Sequence, residues 1–194
     1  MKKIHHIAAL LIAGVLSASA ALQIGDEMVD THVKMMSADD ATLTLSQLKG
    51  EKGTLIIFTC NKCPFVDAWQ ATMVELGNTY MKKGISVVFI NSNDPAVKGD
   101  TMDNMKAKAQ KEGYRFPYLQ DSTSEVARNF GAKKTPDVFL FDATGKLAYQ
   151  GAVGDGGRSV GDEIWLKDAL EALVAGQKIE NAQTKAVGCS IKFR

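Results

Sequence analysis

The chain has 194 residues, of which 23 are basic and 22 acidic, for a formal net charge of +1. That near-balance supplies no field suited to nucleic acid or an anionic membrane surface. Three cysteines are too few for a disulfide scaffold, and an odd number leaves one thiol without a partner inside the chain.

Residues 1–20, MKKIHHIAALLIAGVLSASA, place Lys2 and Lys3 before an apolar run from Ile7 to Leu16 and a small-residue site at Ala18-Ser19-Ala20. This order of charge, grease and small residues predicts a removable export signal. The apolar run is roughly half of the ~20 residues a spanning helix needs. Without the signal, 21 basic residues face 22 acidic ones, and His32 is the only histidine left. No second long apolar segment follows, so the expectation is an exported domain, periplasmic or extracellular, without membrane insertion. Export would put Cys60, Cys63 and Cys189 in an oxidising compartment. The expected organisation is a signal at 1–20, a domain at 21–180 and a polar tail at 181–194 carrying Cys189.

Residues 22–50 predict a small strand or hairpin with Leu43, Leu45 and Leu48 turned inward. TLIIFT at 54–59 and ISVVFIN at 85–91 read as strands buried on both faces, as in a parallel sheet. Between them Phe65, Trp69, Met73, Leu76 and Tyr80 recur at helical spacing from Pro64 to Lys83, and Gly84 stops the helix. Strand, helix and strand form a βαβ unit, expected to cross over right-handedly. A helix from Asp100 to Glu112 follows, with Asp100 as its expected cap and Lys106, Lys108 and Lys111 as its wet side. A short helix near Thr123–Phe130 closes at Gly131. Pro136–Asp142 and Lys146–Gly151 predict a β-hairpin, and Asp162–Ala175 a last amphipathic helix. The sum is one α/β domain.

The sequence FTCNKCPFV at 58–66 puts Cys60 and Cys63 at the first βα turn, where open parallel sheets gather their active sites. Cys60 is expected at the helix start, where free N–H groups and the dipole favour a thiolate. Lys62, at about 6 Å, would add roughly 0.7–3 kcal/mol in the same direction. On this reading Cys60 is the nucleophile, drawn down toward neutral acidity, Lys62 its activator, and Cys63 the resolving thiol.

The sequence resembles thioredoxin-fold proteins of the exported thioredoxin/TlpA-like and peroxiredoxin-related AhpC/TSA branch. The resemblance is carried by CNKC after a strand, FPYLQD at 116–121 and VARNFGAKKTPDVFLFDATGKL at 126–147. It implies a thioredoxin-like fold, a central mixed sheet flanked by helices with an N-terminal β extension. It also implies that Thr135-Pro136 is a cis-proline loop facing the CxxC pair and docking an extended substrate segment. The implied activity is thiol–disulfide exchange on protein disulfides, recharged by a thiol donor such as a membrane thiol transporter, with no bound cofactor or metal. There is no room for the large helical insertion of Dsb-type oxidases, which points toward a reductant. Two departures stand out. The buried acid that thioredoxin places six residues before its first cysteine falls on Thr54, and the acid TlpA-like proteins place after the pair falls on Val66, with Asp67 one step off.

Other readings compete. A thiol peroxidase of peroxiredoxin type would carry a Thr-x-x-Cys spacing, whereas Thr59 lies one residue before Cys60 and four before Cys63. A copper carrier of the Sco type pairs CxxxC with a late histidine, and a zinc site from Cys60, Cys63, Cys189 and His32 has ligand types without a supporting spacing. An inert structural bridge is a further alternative. Gly188-Cys189-Ser190-Ile191-Lys192 resembles a tail in a subgroup of these redoxins; Cys189 is a candidate third redox thiol, folded back as relay or lock, or else a free thiol on a terminus.

Overall fold

A computed structural model describes residues 21–194; the expected export signal lies outside them. Seven strands form one mixed sheet: β1 (Met35–Ser37), β2 (Thr42–Leu43), β3 (Gly53–Thr59), β4 (Ile85–Asn91), β5 (Tyr118–Gln120), β7 (Asp137–Asp142) and β8 (Leu147–Gly151). Their order is β2-β1-β5-β4-β3-β7-β8, and β6 (Lys134–Thr135) pairs separately with β9 (Cys189–Ser190). β3 runs parallel to β4 and antiparallel to β7, and β4 runs parallel to β5. Every residue of β3 is buried, as its unbroken apolar run requires of a strand covered on both sides.

Alternation along the strands divides the core. Leu55, Ile57, Val87, Phe89, Val138 and Leu140 face α1 (Pro64–Met81), α2 (Met102–Glu112) and α4 (Trp165–Val174), meeting Val66, Trp69, Met73, Met105, Leu166 and Leu170. Ile56, Phe58, Val88, Ile90 and Phe139 face α3 (Glu125–Phe130) and the N-terminal extension, meeting Phe130, Met35 and Leu45. There Phe58, Phe130 and Phe139 pack edge-on with ring centroids 5.4–5.6 Å apart. Such pairs add about 0.5–1.5 kcal/mol each to the burial itself.

The expected elements stand at their predicted places, with shifts at their ends. β1, β2 and the 3-10 turn Leu45–Leu48 are the predicted N-terminal extension; Leu45 is fully buried, Leu43 and Leu48 partly. The cap of α2 is Thr101, whose hydroxyl accepts from the Asn104 amide at 3.4 Å, and not Asp100. Asp100 is 2% exposed and turned inward. It is occupied by the CxxC loop, described below. The tail is tied to the domain. The Thr184 amide donates to the Gln150 carbonyl and the Gln150 amide to the Ala182 carbonyl, the Thr184 hydroxyl accepts from the Ala152 amide at 2.9 Å, and β9 follows.

Candidate active site

β3 ends at Thr59 and α1 begins at Pro64, so the four residues between them form a tight connection at the carboxyl edge of the sheet. Pro64 at the first helical position loses no needed N–H. The residue flanking the helix is Cys63, extended at φ −139° and ψ 121°, with its carbonyl accepting from the Asp67 amide at 2.9 Å. The helix start therefore serves Cys63 rather than Cys60.

The loop is fixed by buried polar groups. Asp100 accepts from the Asn61 amide at 2.8 Å, from Asn91 Nδ2 at 3.1 Å and from Asn93 Nδ2 at 2.9 Å. Asn61 donates through Nδ2 to the Gly99 carbonyl at 2.9 Å and accepts from the Tyr118 hydroxyl at 2.9 Å. Lys108 donates to the carbonyls of Cys60 and Asn61 at 3.2 and 3.3 Å and pairs with Asp67 at 3.5 Å. Its side chain is only 10% exposed, so Lys108 is not on the wet side of α2. Lys106 does lie there, paired with Asp40 at 2.5 Å.

Thr135 joins the two thiols. Its hydroxyl lies 3.3 Å from Cys60 Sγ, and its carbonyl accepts from the Cys63 thiol at 3.3 Å. The Thr135–Pro136 peptide is cis, and both residues are buried. Cys189 stands beside Cys63 on β9, opposite Thr135. All three cysteines are thiols.

The electrostatics couple the two thiols of the pair to each other. The Cys60 thiol is pushed up, first by sharing its hydrogen with the Cys63 sulfur, then by burial and by the charge of Asp100. Cys63 is drawn down to about 4, chiefly by that hydrogen bond from Cys60, helped by Cys189 and by the amide of Val66, against the cost of burial. The two thiols therefore titrate as one coupled pair, with the helix start beside Cys63. The expectation assigned the helix terminus to the wrong member of the pair.

Lys62 is exposed, and its methylenes lie along Gly99. Thr54 is buried, with its hydroxyl accepting from the Gly50 amide at 3.2 Å. Among the described residues no three His, Cys, Asp or Glu side chains are arranged to hold a metal ion, and exposed His32 sits in a turn of the N-terminal extension. Asp100, Asn61, Asn93 and Lys108 were not predicted as site residues. Only the crossing of the chain at the carboxyl ends of β3 and β4 brings them together.

Two buried thiols at the end of the central parallel strand, faced by a cis-proline loop, make this a thioredoxin-fold redoxin. Residues 24–150 match the family described as the AhpC/TSA family, and the chain belongs to it. It is similar to a conserved protein of Geobacillus kaustophilus described as uncharacterized, at 37% identity over 89% of this chain and 93% of that one, with a TM-score of 0.83. It shares its fold with a putative thiol:disulfide interchange protein DsbE of Chlorobium tepidum, at 21% identity, 79% and 99% coverage and a TM-score of 0.63. It also shares its fold with the peroxidoxin BcpB of Mycobacterium tuberculosis, at 18% identity, 79% and 97% coverage and a TM-score of 0.61. No curated protein matches the sequence. Family and fold indicate a redox enzyme working through thiols, either an oxidoreductase or a peroxidase.

Proposed function

We propose that the protein is a thiol–disulfide oxidoreductase acting outside the cytoplasm, reducing protein disulfides and recharged by a thiol donor. The observation that carries this reading is Thr135, which touches both sulfurs while its backbone belongs to a strand that accepts a partner strand. An extended substrate segment that displaced β9 from that edge would bring its own sulfur next to Cys63. The Cys63 thiolate attacks the substrate disulfide, one substrate sulfur leaves as a thiolate, and a mixed disulfide remains on Cys63. That step consumes the negative charge that Cys60 was hydrogen-bonded to, which removes the largest influence holding the Cys60 proton. Cys60 then attacks Cys63 Sγ, releasing the reduced substrate and leaving the Cys60–Cys63 disulfide.

Export is supported by the order of charge, apolar run and small residues at 1–20. The reducing direction is supported by the TlpA-like resemblance. It would give a reduction potential below about −250 mV, whereas an oxidant would lie near −120 mV.

Role exchange is the direct test. Cys63→Ser is expected to abolish insulin disulfide reduction, and Cys60→Ser to accumulate mixed disulfides on Cys63. If Cys60→Ser is the dead variant and Cys63→Ser the trap, the roles are those expected from sequence. If neither variant loses activity, the oxidoreductase reading fails.

A peroxidase is the second reading, favoured by one observation: the fold is shared with the peroxidoxin BcpB of Mycobacterium tuberculosis. Sulfenic acid trapped by dimedone at Cys63 within one turnover of peroxide would support it.

A further inference from the structure

The last seven residues lie along the edge where a substrate strand would pair. β9 runs antiparallel to β6, with Cys189 opposite Thr135 and Ser190 opposite Lys134. The Ile191 amide donates to the Lys133 carbonyl at 3.0 Å, and the Ile191 side chain is buried in the core beneath α3. The Lys192 amide donates to Asn93 Oδ1 at 2.8 Å, and its carbonyl accepts from the Asp94 amide at 2.8 Å. Asn93 in turn donates to Asp100, so one chain of hydrogen bonds joins the CxxC loop to the tail. Gly188 passes so close to the Thr135–Pro136 peptide that a Cβ there would collide with the Thr135 carbonyl. These contacts set Cys189 opposite Thr135, whose carbonyl the Cys63 thiol meets at 3.3 Å, and pack it against the cluster that holds Cys60 and Cys63.

Access distinguishes the three sulfurs. Cys60 is 2% exposed and Cys63 is fully buried, whereas Cys189 is partly open to solvent. A protein thiol donor has no direct approach to the buried pair while the tail is in place. We infer that Cys189 is a third redox residue, which exchanges with Cys63 and carries the disulfide from the buried pair to the surface.

This rests on the dithiol reading above, and it assigns that site its outlet. Starting from the Cys60–Cys63 disulfide, Cys189 loses its proton and attacks Cys63 Sγ. The Cys63–Cys189 bond forms as the Cys60–Cys63 bond breaks, and Cys60 leaves as a thiolate and takes up a proton. One disulfide and one thiol stand on each side, and no electrons enter or leave. A dithiol donor then attacks the Cys189 sulfur, Cys63 leaves as the thiolate its surroundings favour, and the donor's second thiol frees Cys189. The donor ends oxidised and the protein carries three thiols. In the reduced protein Cys189 is held up to about 11 by burial and by the neighbouring Cys63 charge. In the oxidised protein that charge is gone, while Arg158 and Lys192 still favour the Cys189 thiolate.

The sequence makes the linkages separable. Trypsin cleaves after Lys62, leaving Cys60 on 53–62 and Cys63 on 63–82, while Cys189 falls on 186–192. Mature wild-type protein, poised in glutathione buffers, alkylated and digested without reductant, is expected to yield both the 53–62/63–82 link and the 63–82/186–192 link. In Cys60→Ser, diamide should convert the two remaining thiols into the 63–82/186–192 link within one monomer, leaving none free. Gly188→Val in that background should slow closure about tenfold, as expected for losing a strand-pairing hydrogen bond or two. If the 53–62/63–82 link forms but 63–82/186–192 never does, or 53–62/186–192 forms instead, the inference is overturned and the dithiol reading survives. Absence of every link overturns both.

Discussion

The CxxC loop and the tail strand β9 both meet at Thr135, but different forces hold them there. The loop is clamped between β3, whose seven residues are all buried, and α1, whose inner face carries Val66, Trp69 and Met73. The tail relies on backbone pairing, a few polar contacts and one fully inserted side chain, Ile191, with Val187 and Phe193 left 47% and 40% exposed. A segment with so little buried apolar contact opens locally far more readily than the molecule unfolds. The comparison separates two duties. The attacking sulfur is fixed with the core, while access to it is governed by a part that can leave.

The strongest way to break this contrast is to remove matched side chains from its two sides. Ile57→Ala empties a fully buried position on β3 and is expected to cost about 2–5 kcal/mol of global stability. Ile191→Ala removes the same atoms from the tail. It should leave the urea midpoint much nearer to wild type while speeding iodoacetamide labelling of Cys63. Equal losses of global stability from the two variants would mean that the tail is part of the same cooperative unit as the core, and the contrast would be lost.

A second test concerns the acid beyond the docking loop. Asp137 follows Pro136 and, by strand alternation, shares the face of Phe139, away from the thiols. Burial pushes its carboxyl up to about 7, against hydrogen bonds from the amides of Lys133, Lys134 and Val138. The unfolded chain releases this proton near the ordinary value of 3.8, whereas the folded protein holds it to about 7. Its contribution to stability is therefore complete below 3.8 and lost as pH rises toward 7. Asp137→Asn should be more stable than wild type by about 2–4 kcal/mol at pH 8 and nearly equal to it at pH 4. Parallel stability curves for the two proteins across that range would refute this.

Asp100 sharpens the comparison because it serves both sides. Asp100→Ala leaves the Asn61 amide and two asparagine side chains without their acceptor, a loss of about 2–3 kcal/mol. Both Cys63 and Cys189 should then label faster, because Asn93 loses the contact that orients it toward Lys192. Faster labelling of Cys63 alone would show that the two segments are held independently.

Which parts were legible in the sequence follows from the same contrast. Strands β3 and β4 and helix α1 announce themselves, because burial on two faces or one stripe leaves a periodic record in neighbouring residues. The CxxC pair and Thr135-Pro136 were readable as types. Which thiol flanks the helix was not, since it depends on whether the helix starts at residue 61 or 64, a boundary that Pro64 hinted at. Asp100 read as a cap because an acidic residue before a helix usually is one; its inward turn is set by Asn61, Asn91 and Asn93, which come from other segments. The tail looked polar and unattached, since a two-residue strand held by backbone bonds leaves no pattern in side-chain chemistry.

The smallest expected effect falls on Lys62, the residue between the two cysteines in sequence. As an exposed lysine with its chain laid over Gly99, it meets solvent on most sides, and surface charges of this kind are weakly coupled to their surroundings. The groups that favour a thiolate at Cys63 are instead Cys60, Cys189 and the Val66 amide, none of which a lysine substitution removes. Lys62→Ala should therefore change the pH profile of Cys63 alkylation by about twofold in rate or less, the scale of an exposed charge. Lys108→Met should disturb the site more, because it strips a largely buried donor from the carbonyls of both Cys60 and Asn61. A large alkaline shift of the profile in Lys62→Ala, with none in Lys108→Met, would return the activating role to Lys62 and move the source of the site's charge from the folded surroundings back to a neighbour in sequence.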